Sequence, residues 1–160
     1  MKTTLKLFAI ELTPYSFHIG IEGKAGRKKV RLIIDTGASQ TVISSQLVQG
    51  MKLKTHQPQQ HNITVGIGEG SLNPEFTVIK TLTLETLKIK DVPCIVLPMD
   101  HINTTYKSIG HKSIDGIIGN DLLMALESRL HMRKLTLKVS TKGKVFDFGE
   151  YIQTVSGDSL

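Results

Sequence analysis

Asp35 is the residue whose surroundings best equip it for chemistry. Leu32, Ile33 and Ile34 precede it as an unbroken apolar run, the pattern of a strand covered on both faces, and so carry its carboxylate toward a low-dielectric interior. A carboxylate placed there costs free energy unless donors meet it. The donors follow at once: Gly37 lets the backbone approach closely, and Thr36 and Ser39 bring hydroxyls. A carboxylate held in this way is a candidate general acid or base. Most Asp-x-Gly sequences are Asx turns that close hairpins. Such a turn is flanked by solvated residues, whereas here the buried pattern resumes in Thr41-Val42-Ile43. Other chemistries find less support. The six His show no metal-ligand spacing, one Cys cannot build a zinc motif, and no Gly-x-Ser-x-Gly occurs. Gly66-x-Gly68-x-Gly70 is not followed by the helix that a dinucleotide site needs. No metal and no cofactor are therefore expected.

The elements that must position Asp35 read as short strands and turns. Leu5 to Leu12 and Phe17 to Glu22 predict a hairpin across Thr13-Pro14-Tyr15, with Gly23-Lys24-Ala25-Gly26 turning the chain toward the Asp35 strand. Ser44 to Val48 predicts one helical turn, capped by Ser44 and stopped by Gly50. Lys54 to Gln60, with Pro58, reads as a loop. Gly66, Gly68 and Gly70 lie between Ile63-Thr64-Val65 and Phe76-Thr77-Val78-Ile79, as in a hairpin with a glycine tip. Leu82, Leu84, Leu87 and Ile89 alternate with polar residues, and Val92 to Leu97 follows as a strand. Asp100 to Lys112 is polar and reads as irregular. Asp121 to Ser128 is the best helix candidate, with Leu122, Leu123 and Leu126 as its apolar stripe. Leu135, Leu137 and Val139, then Val145, Phe146 and Phe148, read as closing strands around Thr141-Lys142-Gly143. No long helix serves a βαβ plan, so the fold class is all-β. One domain is expected over 1–153, with 154–160 as a tail.

Ile33-Ile34-Asp35-Thr36-Gly37-Ala38-Ser39 resembles the active-site signature of aspartic peptidases. Ile114-Asp115-Gly116-Ile117-Ile118-Gly119-Asn120-Asp121-Leu122-Leu123 resembles the apolar-apolar-Gly element that the retroviral type carries before a short C-terminal helix. Between them, Thr64 to Gly70 resembles the flap that closes over bound peptide. The order Asp-Thr-Gly, flap, apolar-apolar-Gly, helix is that of a retropepsin and covers most of the chain from Val30 onward. The resemblance implies an acid-protease closed barrel or sandwich with one short C-terminal helix. It also implies an aspartic endopeptidase acting on polypeptide through two carboxylates around one water. Like charges that close cannot both ionise, so the pair holds one proton. With a single Asp-Thr-Gly in 160 residues, the second Asp35 must come from another copy, hence a two-fold homodimer.

By the same resemblance Asp35, Thr36 and Gly37 are catalytic, Thr36 bonding across the dimer. Ala38 leaves room beside the carboxylate. Gly66, Ile67 and Gly68 form the flap, and Ile117 joins Val42 and Val96 in the pocket. Asp115 and Asp121 are expected to cap the helix or bond backbone amides rather than serve as a second acid. Ser39 and Asn120 stand where many viral enzymes pair an acid with an arginine, a pattern closer to cellular or bacterial relatives. The same fold without catalysis, as a dimerisation or peptide-binding module, is the alternative.

Composition fits one soluble globular domain: 39% hydrophobic and 21% charged residues, with no apolar run near the roughly 20 residues that span a bilayer. Leu5, Leu7, Phe8, Ala9 and Ile10 form an interrupted patch too short for a secretory segment, so a cytoplasmic location is expected, and Cys94, which allows no internal disulfide, is compatible with a reducing compartment. The net charge of +6 clusters at Lys24 to Arg31 and at Arg129 to Lys144. A basic domain binding nucleic acid is the reading from another class. With no Trp, three Tyr and five Phe, no basic strand is interleaved with aromatics for base stacking, and no nucleic acid is expected.

Overall fold

The computed structural model describes residues 1–57 and 74–157. The flap residues Gly66, Ile67 and Gly68 between them, and the last three residues of the expected tail, lie outside the described residues. In chain order the elements are β1 (Lys2–Lys6), β2 (Phe8–Thr13), β3 (Ser16–Ala25), β4 (Lys28–Ile34), β5 (Val42–Ser44) and α1 (Ser45–Met51). There follow β6 (Glu75–Leu84), β7 (Leu87–Leu97), α2 (Asp100–Ser108), β8 (Gly116–Ile118) and α3 (Asn120–Ala125). The chain ends in β9 (Arg129–His131), β10 (Thr136–Ser140), β11 (Val145–Asp147) and α4 (Phe148–Gly157).

Six strands close on themselves. β7 pairs with β5, β5 with β8, β8 with β4, β4 with β3, β3 with β6, and β6 again with β7. Closure leaves no unpaired edge around the ring. β2 extends the sheet outside β3, and β11 lies parallel to β7. The N-terminal strand β1 joins β10 and β9 in a separate antiparallel sheet, where Leu5 faces Leu137.

Period-two alternation explains which side chains fill the barrel. On β4, Val30, Leu32 and Ile34 enter the main core, while Ile33 points the other way into a second, smaller cluster. At the β6–β7 hairpin Leu84 and Leu87 are wholly buried. Each such burial is worth about 1.5–3 kcal/mol. Together they outweigh the cost of about 1–2 kcal/mol for holding the intervening Glu85 left-handed, at φ 51°.

Five local expectations are corrected. β3 runs through Gly23 to Ala25, and the turn sits at Gly26, φ 58°. A Cβ on Gly23 would stand 2.7 Å from the Thr83 carbonyl oxygen, so this glycine serves close strand approach rather than a turn. Ser44 caps α1 as expected, its Oγ accepting from Leu47 N at 3.1 Å, but the stop is a left-handed Lys52 rather than Gly50. The polar stretch after Met99 forms α2, which buries one residue, Tyr106, and so lacks an apolar stripe to read. α3 is shorter than the expected 121–128. Finally, Phe148 begins a helix and does not end a strand. Asp147 Oδ1 accepts from Glu150 N at 3.0 Å, and Phe146, Phe148 and Tyr151 stack against one another, which carries α4 to Gly157 through residues expected in a tail. No helix among the described residues is long and apolar enough to cross a membrane.

Candidate active site

β8 lies between β4 and β5, parallel to the first and antiparallel to the second. The two strands that flank the Asp35 loop therefore do not pair with each other, and residues 35–41 arch over the end of β8. This arrangement needs glycines in β8 and after it. A Cβ on Gly116 would lie 2.4 Å from the Val42 carbonyl oxygen, and one on Gly119 2.5 Å from the carbonyl of Gln40. Side chains at either place would push β8 out of its slot.

Hydrogen bonds then fix the loop residue by residue. Asp35 N donates to Ile118 O at 3.1 Å, and Ala38 N returns to Asp35 O at 3.2 Å. Gly37 N donates to Asp35 Oδ1 at 2.8 Å. Oδ2 has no hydrogen-bond partner among the described residues, so one carboxylate oxygen is anchored and the other is free. Asp35 is half-buried. A Cβ on Gly37 would crowd Oδ1 at 3.1 Å. Asn120 braces the far side: its Nδ2 donates to Thr36 O at 2.7 Å and its N to Ala38 O at 2.8 Å. Thr36 is exposed, and its hydroxyl has no partner among the described residues of this protomer.

The two other acids are occupied. Asp121 accepts from Thr41 N (3.0 Å) and Thr41 Oγ1 (2.8 Å), and from Leu122 N at 2.7 Å. Thr41 Oγ1 in turn accepts from Gly119 N at 3.2 Å. Asp115 accepts from Arg31 N at 2.8 Å, and its own carbonyl takes Ser44 N. Both carboxylates hold backbone amides, as expected of them. Cys94 shares a small recess with Thr41 and Asp121. Burial, and secondarily the Asp121 charge, pushes its thiol far above the usual range.

The structure brings together Asp35, Thr36, Gly37 and Ala38 on one loop and sets Ile117 beside them on β8, half-buried. Val42 shares the smaller apolar cluster that Ile117 packs against, whereas Val96 belongs to the barrel core, which removes it from the expected pocket. Sequence reading missed Thr41 and Asn120 as braces. The signal for Thr41 was a hydroxyl opening an otherwise apolar strand. Asn120 in sequence stands only as the place where many viral relatives carry an arginine. Among the described residues no group of three or more His, Cys, Asp or Glu is placed to hold a metal ion.

An open groove of about 330 Å³ lies next to Thr36, lined by Ile34, Asn120, Leu123, Met124, Leu130 and Leu137 among others. Met124 at its rim is 74% exposed.

Comparison with known proteins agrees with this geometry. A retropepsin-like aspartic protease from Rickettsia conorii superposes with a TM-score of 0.56 at 13% identity, over 87% of this chain and 89% of that one. The retroviral protease-like domain of Ddi1 from Leishmania major gives 0.48 at 13% identity, over 76% of this chain and 87% of that one. EIAV protease, solved with an inhibitor, gives 0.44 at 18% identity, over 66% and 85%. No curated protein matches the chain in sequence. The six-strand barrel with β8 threaded through the Asp35 loop is a retropepsin-like fold. Residues 20–122, which span the Asp35 loop, β8 and the start of α3, match the family described as aspartyl protease, and the chain belongs to that family.

Proposed function

We propose that the protein is an aspartic endopeptidase that works as a homodimer, with Asp35 of each copy forming the dyad. The observation that carries this reading is the half-site: one Asp-Thr-Gly loop, rigidly braced, whose Asp35 has one oxygen anchored by Gly37 and the other without a partner among the described residues. In the dimer two such oxygens face one water and the pair shares one proton. The ionised member takes a proton from the water as its oxygen attacks the peptide carbonyl carbon. The protonated member gives its proton to the carbonyl oxygen, forming a diol; the member that took the water's proton then passes it to the amide nitrogen as the C–N bond breaks, and the other takes a proton back from the diol, which becomes the carboxyl product. Thr36, whose hydroxyl has no partner among the described residues of the protomer, holds the two loops level. Ala38 and Ile117 face the substrate, and Gly66, Ile67 and Gly68 close over it. The groove with exposed Met124 beside Thr36 supplies apolar surface for the second copy. With its single cysteine buried and reduced, the protein suits the cytoplasm.

Peptide-library cleavage by wild type and Asp35→Asn, with sedimentation of each, tests the reading. Cleavage by a wild-type dimer and a loss of about 10²–10⁴-fold in an Asn variant that still dimerises supports it. Dimers of both that cut nothing would contradict it.

A further inference from the structure

The sheet that carries Asp35 has a second face. Ile34, Ile43 and Ile118 turn into the barrel, while Ile33, Val42 and Ile95, with half-buried Ile117, turn outward into their own cluster. Ile33 stands two residues before Asp35, so alternation puts both on one side of the chain. On the proposed peptidase reading, this is the apolar surface that side chains flanking the cleaved bond would meet.

In this protein that surface is already covered. Ile33, Val42 and Ile95 are 7%, 6% and 5% exposed, and the cluster that buries them also contains Met99, Tyr106 and Ile114. These three come from α2 and its two flanks. The cover is fastened at three points. Asn103 bonds both backbone groups of Ile114, donating to its carbonyl at 3.0 Å and accepting from its amide at 2.8 Å. The Tyr106 hydroxyl is hydrogen-bonded to His18 Nδ1 on β3. Just past the helix, His111 Nε2 donates to Glu11 O on β2 at 2.7 Å. A helix tied to β2, β3 and the approach to β8 is a fixed wall of the cleft.

We infer that α2, through Met99 and Tyr106, fills the apolar side of the cleft and restricts the residues flanking the cleaved bond to small side chains such as Gly, Ala and Ser. The inference rests on the peptidase reading and adds its substrate class. Selection is by volume: the interior behind Ile33 and Val42 is packed, and a large side chain has to displace a tethered helix.

The test uses binding, which does not require turnover. Reduced-amide peptides, identical except for Ala, Leu or Phe on each side of the replaced bond, are titrated by fluorescence anisotropy against the full wild-type chain and against Tyr106→Ala, Met99→Ala and Tyr106→Phe. Wild type should bind the Ala peptide at least about 10–200-fold more tightly than the Phe peptide. Either truncation should narrow or reverse that ratio, and Tyr106→Phe, which keeps the ring, should preserve it. Should one truncated variant fail to fold, the other and the wild-type ratio still decide. Equal binding of Ala and Phe peptides by wild type, or an unchanged ratio in a folded truncation, overturns the inference and leaves the peptidase reading standing. Failure of every peptide to bind overturns both.

Discussion

Asp35, Asp115 and Asp121 are the same chemical group within one threaded motif, and their hydrogen bonds divide the work. Asp121 spends its oxygens on Thr41 and Leu122, and Asp115 ties β4, whereas Asp35 keeps Oδ2 open. Removing Asp121 is therefore a structural lesion. Asp121→Ala leaves the amides of Thr41 and Leu122 unpaired, and each orphaned group costs about 1–3 kcal/mol. Urea denaturation should show that loss, with Asp121→Asn, which keeps an acceptor, closer to wild type. Cys94 gives a pH signature. Burial raises the folded thiol, so the folded chain keeps a proton that the unfolded chain releases above about pH 8.5. Below that pH the two states hold the proton alike and the thiol contributes nothing; above it unfolding gains about 1.4 kcal/mol per pH unit. Unfolding free energy should accordingly fall by about 2 kcal/mol more in wild type than in Cys94→Ala between about pH 8.5 and 10.

Elements were legible where burial wrote a period into the sequence. The apolar run of β4, the Ser44 cap and the Ile117-Ile118-Gly119 element all stand where they were read, because each is fixed by local chemistry. α2 and α4 were not legible. α2 buries Tyr106 alone and is held by the bonds of Asn103 to Ile114, 11 residues on, and of Tyr106 to His18, 88 residues away, polar contacts that leave no repeat. α4 begins in an aromatic cluster that reads equally well as strand, although Asp147 three residues before Glu150 is a cap signal that was overlooked. Gly23 was misassigned for a related reason: a glycine required by Thr83 across the sheet looks the same in sequence as one required by a turn. The Asp loop itself was readable, but its braces Thr41 and Asn120 act across 78 to 84 residues of chain, beyond any local pattern. At this scale Gly119→Ala is the sharpest substitution. Its Cβ meets the Gln40 carbonyl at 2.5 Å, and the expected outcome is a loss of at least about 1–3 kcal/mol in stability together with displacement of the Asp35 loop. A fall in melting temperature with activity lost even well below it would show both effects.

The whole molecule is built round a closed barrel, and β1 pairs with β10 in a separate sheet of the same copy. On the proposed reading a single copy supplies half of the site, since it brings one Asp-Thr-Gly, and Met124 is exposed beside Thr36. Met124→Lys should weaken self-association at least tenfold, about 1.4 kcal/mol or more, while leaving the circular dichroism of the protomer unchanged. Mixing wild type with Asp35→Asn goes to the central claim most directly. The two are refolded together at fixed total concentration so that copies exchange, and peptide cleavage is followed against the wild-type fraction. A dyad built from two copies makes mixed dimers inactive, and activity then falls with the square of the wild-type fraction. Activity that falls in direct proportion would mean that each Asp35 works alone, and would contradict the shared site.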